Sequence, residues 1–274
     1  MPTINTNTNA LYAQDALKTN ARAQSTAMQQ LSTGSRINSA KDDAAGLAIG
    51  MSMTSQIRGL NQAVRNVNDG VNLLQTADGA LVETQNMLQR MRELAVQSAN
   101  ATYSANQRGY LQNEFSSLAI EVDRIGANSK WNDTNILSST VAYAFQAGNQ
   151  ANQTITVTIN AAAGSAIGLG VGGSAVSIST AALAQTAIAT LDTALESVNL
   201  NRSQIGATVN QLTYSSDNMT NIASNLTASR STIMDTDYAT ASAQLSKTQI
   251  IQQAATAMLA QANQQPQSVL QLIK

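Results

Sequence analysis

The stretch richest in residues that could do chemistry runs from Leu31 to Gly50, LSTGSRINSAKDDAAGLAIG, with three glycines, two basic residues and two adjacent aspartates. Glycine and lysine can cradle a phosphate when a glycine-rich loop follows a strand and ends in Gly-Lys-Ser or Gly-Lys-Thr. Lys41 instead follows an alanine, and no strand pattern precedes it. The stretch therefore predicts a connector between two helices, in which Ser39 caps the second helix and Asp42 bonds back to it.

Two pairs of carboxylates are the other candidates for acid/base chemistry or a magnesium site: Asp42 with Asp43, and Asp235 with Asp237. Adjacent residues on a helix point about 100° apart, so the first pair converges poorly on one atom. Both pairs indicate helix boundaries instead. The chain also has no histidine and no cysteine, which removes imidazole bases, thiolate nucleophiles and the usual zinc, copper and haem ligands. We expect no catalytic residue, no metal, no cofactor and no enzyme activity.

The overall composition excludes two classes of partner. Fifteen Lys and Arg stand against 16 Asp and Glu, a net charge of −1, so no basic field attracts nucleic acid or an anionic membrane. No apolar window is long enough to span a bilayer, and the start MPTINTNTNALYAQ lacks the regions of a cleaved secretory signal. We expect a soluble protein that, if it leaves the cell, uses a route without a cleaved signal.

Long helices are permitted because the prolines, Pro2 and Pro266, lie at the two ends of the chain. Apolar residues recurring at steps of three and four predict one heptad helix from about residue 42 to 99. A second helix is predicted from Leu111 to Gly126, and a third apolar ladder runs from Ile188 to Ile233. The seam residues that we assign as assembly contacts on the long helices include Ile57, Val64, Val71, Ile188, Leu195 and Leu226.

Between the second and third helices the pattern changes to β-branched residues punctuated by glycine. The segments VAYAF, QTITVTIN and AVSIS predict short strands or hairpins within about residues 138–180. This segment is too short for a separate domain. The predicted fold is therefore mainly α, a long helical bundle or coiled coil with a small β-hairpin region inserted in the middle.

Both ends of the chain predict a helix whose apolar stripe is mostly alanine. Ordering about 40 residues costs on the order of 60 kcal/mol, whereas a large buried side chain returns only about 2 kcal/mol. We expect both ends to be disordered or fraying in the free chain and to become helical by packing on each other and on neighbouring copies. The assembly contacts assigned to these ends are Leu17, Met28, Leu31, Leu245 and Leu259. The predicted domains are residues 1–44, 45–180, 181–233 and 234–274.

Two long blocks resemble a known family. The block LSTGSRINSAKDDAAGLAIGMSMTSQIRGLNQAVRNVNDGVNLLQTADGALVETQNMLQRMRELAVQSAN is similar to the amino-terminal region of bacterial flagellins, and ASRSTIMDTDYATASAQLSKTQIIQQAATAMLAQANQQPQSVLQLI to their carboxy-terminal region. The resemblance implies a filament subunit of the short kind, with paired terminal helices in an inner tube, D0, and long helices around it, D1. It also implies an extracellular flagellar location after type III export, with an export chaperone, a filament cap and hook-junction proteins as partners.

The resemblance further assigns residues to the surface of the long helices. Flagellins of many bacteria present the segment matching QRMREL to the vertebrate innate-immune receptor for flagellin, and the matching positions here are Arg90, Leu94 and Glu114. Without the resemblance, this segment reads as a solvated helix face. Because the family's filaments pack this surface between subunits, we expect the monomer to bind the receptor and the polymer largely to hide the site.

Three alternatives to a filament subunit arise. A ligand whose primary role is receptor binding is treated as secondary to assembly. A hook-filament junction protein shares the terminal architecture of flagellins. An enzyme inserted in a filament scaffold would need His-Glu-x-x-His, which a chain without histidine cannot supply. The sequence also departs from the family at Trp131-Asn132-Asp133, where members often carry Phe-Asn-Gly, so the turn after the second helix lacks its glycine.

Overall fold

The structure is a computed structural model that describes residues 6–164, 166–169 and 176–272, with side chains described as far as residue 264. Within these ranges the chain forms five helices and four short strands, which confirms the mainly α fold with a small β insert. The elements are α1 (Thr8–Thr33), α2 (Ala44–Ala99), α3 (Ala105–Asn128), β1 (Lys130–Trp131), β2 (Thr134–Asn135), β3 (Val141–Gln146), β4 (Thr154–Ile159), α4 (Ala181–Met234) and α5 (Tyr238–Leu272). Pro2 lies outside the described residues.

The chain divides into two compact units. The terminal unit comprises the residues up to Ile57 and from Ser224 onward, which include α1 and α5. The central unit comprises Arg58–Ala223, with α3 and the strands. The divisions between the units fall inside α2 and α4, whereas the sequence-based boundaries at residues 44 and 234 coincide with the ends of these helices.

In the central unit, the buried side of α2 follows an unbroken heptad repeat. One row of its buried positions alternates in steps of three and four, with Leu73 and Leu94 buried beside it: Leu60, Ala63, Val67, Gly70, Leu74, Ala77, Leu81, Thr84, Leu88, Met91, Ala95 and Ser98. Val64 and Val71 lie beside this row and are only partly buried, because Ala63 and Gly70 hold the central positions, and their assignment as assembly contacts stays a prediction. Small residues at the centre of a seam allow close approach of the backbones, so the largest apolar residue need not be the deepest.

The seam of α4 shows the same displacement. Its buried residues are Ala184, Ala187, Leu191, Ala194, Val198, Asn201, Ile205, Thr208, Leu212, Met219 and Ala223. Ile188 and Leu195 are partly buried beside this row, next to the fully buried Ala187 and Ala194. In the terminal unit, Ile57 and Leu226 are also only partly buried. The predicted residues therefore flank the seams, and alanines alternate with larger residues at the centre.

The turn after α3 forms without glycine. Asn132 and Asp133 join β1 to β2 as a two-residue hairpin loop, with φ of 46° and 62°. This loop type needs positive φ at both positions, which asparagine and aspartate tolerate better than other residues with a side chain. The departure from Phe-Asn-Gly thus leaves the hairpin intact.

Strands β3 and β4 form an antiparallel hairpin that confirms the VAYAF and QTITVTIN predictions. The hairpin packs on two glycines of α2. A Cβ on Gly70 would lie 2.8 Å from the Phe145 ring, and a Cβ on Gly59 would lie 3.0 Å from Asn149 Cβ. These glycines provide the space into which the hairpin fits.

The prediction of a strand at AVSIS is wrong for its described residues, 176–179, which form no strand. Two side chains bind the main chain of Ile178 instead. Its N–H donates to Gln112 Oε1 (2.6 Å), and its carbonyl accepts from Ser98 Oγ (2.5 Å). Because both polar groups of Ile178 are satisfied by helices α2 and α3, this segment needs no strand partner.

Candidate functional site

The terminal helices α1 and α5 pack on each other as an antiparallel pair. The heptad grid of α5 comprises Tyr238, Ala241, Leu245, Thr248, Ala255, Leu259 and Ala262. Ala241 and Thr248 are buried and Leu245, Ala255, Leu259 and Ala262 are partly buried, whereas Tyr238 is 57% exposed. On α1, Leu17 and Leu31 are partly buried, but Met28 is 55% exposed. Met28 thus lies outside the contact within the chain, because the heptad places the neighbouring Ala27 on the buried side, and its assignment as an assembly contact stays a prediction.

Two asparagines set the alignment of the helix pair. Asn20 Nδ2 donates to the carbonyl of Thr248 (2.7 Å), and Asn7 Nδ2 donates to the carbonyl of Ala262 (2.8 Å). Asn20 is buried in the middle of the contact. A search for apolar residues alone misses it, although its position seven residues before Ala27 marks it as a member of the stripe. A buried amide that must find its partner fixes the register of a helix pair.

The outer surface of this helix pair carries few charged residues and several exposed apolar side chains. In α1 and the described side chains of α5, the charged residues are Asp15, Lys18, Arg22 and Lys247. Large apolar side chains stand out from the same helices with exposed fractions of 40 to 77%: Leu11, Tyr12, Met28, Ile250, Ile251 and Met258. Exposed apolar patches of this kind mark surfaces that bind another protein.

The glycine-rich stretch of the sequence is the connector between α1 and α2. Gly34 ends α1 with a φ of 69°, and Tyr238 lies against it where a Cβ would come within 3.0 Å of the ring hydroxyl. The N–H of Arg36 donates to the carbonyl of Met234 (2.7 Å), and its guanidinium donates to the carbonyl of Ile233 (2.7 Å). The connector therefore binds the end of α4, and its arginine satisfies carbonyls left open there.

The cap of α2 differs from the prediction. The helix begins at Ala44, and Asp43 Oδ1 accepts from the N–H of Gly46 (2.9 Å), so the cap is Asp43 and not Ser39. Asp42 does bond back to Ser39 as predicted, because one carboxylate oxygen accepts from both the N–H and the hydroxyl of Ser39 (2.9 Å each). The two aspartates thus belong to helix-boundary turns.

Hydrogen bonds lower the pKa of two carboxylates in these turns. For Asp42 the Ser39 hydroxyl is the largest cause, followed by the N–H groups of Ser39 and Asn38. For Asp237 the largest cause is the Thr240 hydroxyl (2.7 Å). A lowered pKa in the folded state means that folding favours the ionised form.

We expect the terminal unit to lose stability in acid. Because both folded pKa values are lowered, the contribution is complete above the ordinary pKa of about 3.9 and is lost as the pH falls through the folded values. The melting temperature of the terminal helices, followed by far-UV circular dichroism, should therefore fall between pH 5 and pH 2. Asp42→Asn with Asp237→Asn should flatten this fall relative to the unchanged chain. An unchanged pH dependence in this double variant would contradict the assignment.

The residues matched to the immune-receptor segment separate into two kinds. Arg90 bonds to Glu93 (3.0 Å) and to Glu114 (2.9 Å) on the neighbouring helix α3, and these bonds raise the pKa of Arg90. Half of the Arg90 side chain remains exposed. Leu94, in contrast, is 1% exposed and belongs to the core of the central unit. The structure therefore brings Arg90 and Glu114 together at the surface, whereas the Leu94 side chain is buried and has no exposed area for a partner to contact.

Other kinds of site find no support among the described residues. In that part of the chain, no three histidine, cysteine, aspartate or glutamate side chains come close enough to hold a metal ion. In the same part, none of the helices combines the length and the apolar character needed to cross a membrane.

Comparisons with known proteins agree on one family. Residues 4–142 match the profile of the bacterial flagellin N-terminal helical region, and residues 188–273 match that of the C-terminal helical region. A flagellin of Halalkalibacterium halodurans is 43% identical over 272 residues, which cover 99% of both chains. The flagellar filament 33 kDa core protein of Treponema phagedenis is 41% identical over 285 residues, again covering 99% of both.

A solved structure supports the same relationship. The crystal structure of Bacillus cereus flagellin superposes with a TM-score of 0.50 at 31% sequence identity. The match covers 61% of this chain and 94% of that chain.

Proposed function

Because this chain belongs to the bacterial flagellin family, a family of structural filament proteins and not of enzymes, we propose that it polymerises through its terminal helices into a flagellar filament that drives motility. The single observation that carries the proposal is the row of large apolar side chains exposed on α1 and α5. The prediction that the chain is no enzyme is confirmed by the family.

The energetic argument rests on burial that the single chain leaves unused. Burying a large apolar side chain contributes about 1.5–3 kcal/mol, and alanines contribute far less. In α1 the buried residues are Ala10, Asn20 and Ala27, while Leu11 and Tyr12 remain exposed. A second copy that covers these side chains adds the apolar burial that the isolated helix pair lacks. Terminal helices that fray in the free chain and are held in place by neighbouring copies complete this proposal.

We expect each copy to use two different surfaces toward its neighbours, and this difference decides the form of the assembly. An interface between two different patches does not close on itself unless the rotation happens to complete a ring, and otherwise it extends as a helix. The subunits join at α1 and α5 inside and at the flanks of the long helices outside, where Val64, Val71, Ile188 and Leu195 remain partly exposed. This arrangement yields a tube.

The cellular context forms part of the proposal. The subunit is exported without a cleaved signal through the flagellar type III route, is kept from premature assembly by an export chaperone, and adds beneath a filament cap on hook-junction proteins. A hook-filament junction role is less favoured, because the similar proteins are flagellins and filament core proteins that match over nearly their whole length.

Electron microscopy of the concentrated full-length chain tests the proposal. Long filaments should form above a critical concentration and dissolve on dilution, with sedimentation following the polymer mass. Protein that stays monomeric at every concentration, or that stops at a closed ring of fixed size, would overturn it.

A second function follows from the charged surface of the central unit. We propose that the monomer is recognised by the vertebrate innate-immune receptor for flagellin through Arg90 and Glu114, which are paired across α2 and α3 and exposed. Leu94 supports this surface from beneath, since it is buried. Polymerisation hides the surface, so the filament is a weak ligand.

Charge removal in this pair should reduce receptor signalling by the monomer. Arg90→Ala and Glu114→Ala each delete a partner of a half-exposed ion pair, which costs little stability because exposed pairs contribute about 0–1 kcal/mol. We expect receptor activation in a cell reporter assay to fall at least about tenfold, which is about 1.4 kcal/mol of lost contact. The matched control is Arg124→Ala, which removes an exposed arginine paired within α3 to Glu121. Unchanged activation by both Arg90 and Glu114 variants would refute the proposal.

A further inference from the structure

The buried seam of α4 contains an asparagine whose side-chain hydrogen bonds go to a residue outside its own helix. Asn201 is 3% exposed and lies between Val198 and Ile205 in the heptad row. The other polar seam residue, Thr208, donates to the carbonyl of Gln204 one turn earlier in the same helix (2.9 Å). Asn201 therefore differs from Thr208 in making its contacts elsewhere in the unit.

The partner of Asn201 is the main chain of Asn160, the residue that follows β4. The N–H of Asn160 donates to Asn201 Oδ1 (3.1 Å), and Asn201 Nδ2 donates to the carbonyl of Asn160 (3.1 Å). The amide thus supplies one acceptor and one donor to a single residue, as a neighbouring strand does. Both groups of Asn160 are satisfied by a helix at the point where the strand ends.

Apolar packing alone would not select this position. Val157 and Ile159 of β4 are buried, and a slip by one residue would turn them to solvent. A slip by two residues keeps an apolar face inward, because alternate residues share a face of a strand. Such a slip would move Asn160 away from Asn201 and leave a buried amide without its partners, which is heavily disfavoured.

We propose that Asn201 is the residue that fixes the position of the β3–β4 hairpin along α4, by rejecting every register except the one that places Asn160 against its amide. A single buried polar residue sets register in the same way in coiled coils. The inference concerns the folded central unit and holds whether or not the chain polymerises.

Hydrogen exchange of backbone amides in the full-length monomer tests the inference. In Asn201→Leu the amide of Asn160 and those of Thr154–Ile159 should exchange at least about tenfold faster, because the hairpin loses its anchor. The α2 amides from Leu81 to Met91, which lie beyond the two glycines that contact the hairpin, should keep their protection. Asn201→Ala provides the same test if leucine prevents folding.

Two control variants separate an anchor from general destabilisation. Thr208→Val changes the other polar residue of the seam and should leave exchange in the hairpin unchanged. Asn160→Ala should also leave it unchanged, because only main-chain atoms of Asn160 contact Asn201. Unchanged hairpin exchange in a folded Asn201 variant, or an equal increase in Thr208→Val, would overturn the inference.

Discussion

A chain without residues 1–40 and 235–274 is expected to stay monomeric at concentrations at which the full-length chain forms long filaments. The deletion removes α1, α5 and most of the connector, and with them the exposed apolar side chains of the terminal helices. The central unit, Arg58–Ala223, is retained whole. Electron microscopy and sedimentation velocity should show complete loss of polymer, and the truncated chain should still melt cooperatively with high helix content.

Point variants test the same surface without shortening the chain. Ile250→Asp with Met258→Asp places two charges on exposed positions of α5, so the monomer should fold while assembly is lost. The matched control is Thr156→Asp with Thr158→Asp, which adds the same charge to exposed positions of β4. Normal filaments from the truncated chain, or equal loss of assembly in the control, would contradict the role of the terminal helices.

Among glycine-to-alanine substitutions in the central unit, Gly126→Ala is expected to lower the free energy of unfolding most. A Cβ on Gly126 would lie 2.4 Å from Ala163 Cα and 2.6 Å from its nitrogen, so the obstacle is backbone and not a movable side chain. Overpacking of this kind costs about 1–3 kcal/mol. We expect the free energy of unfolding to fall by about 2–3 kcal/mol, which for a chain of this size lowers the melting temperature by about 5–10 °C.

Another glycine on the same helix provides the control. A Cβ on Gly109 of α3 would meet nothing within 4 Å. Gly109→Ala should therefore raise stability by about 0.5–1 kcal/mol, because alanine restricts the unfolded chain and favours the helix. Thermal and denaturant unfolding of the two variants should move in opposite directions. A comparable loss of stability in both variants would contradict the role assigned to the contact with Ala163.

The hydrophobic repeat by itself predicted the mainly α architecture. Steps of three and four predicted the long helices, and the alternating segments predicted β3 and β4, because periodicity is a local property that neighbouring residues carry together. The absence of histidine and cysteine excluded most chemistry. The terminal blocks indicated the family that the comparisons then established.

Only the tertiary structure decided which residues of each stripe are central. Ala63 displaces Val64, and Ala27 displaces Met28, because the buried position depends on where the partner helix lies and how closely it approaches. Polar partners are equally invisible in the sequence. Asn20 reaches Thr248, 228 residues away in the chain, and Asn201 reaches Asn160, 41 residues away.

The candidate receptor surface shows the same division. The sequence placed Arg90, Leu94 and Glu114 together by resemblance, and folding pairs the two charged residues across α2 and α3 while burying the leucine. The periodicity of a helix shows which residues share one of its faces. It does not show which of these faces another helix or strand covers. Local pattern thus determined the elements and their apolar sides, whereas packing between distant segments decided depth, register and exposure.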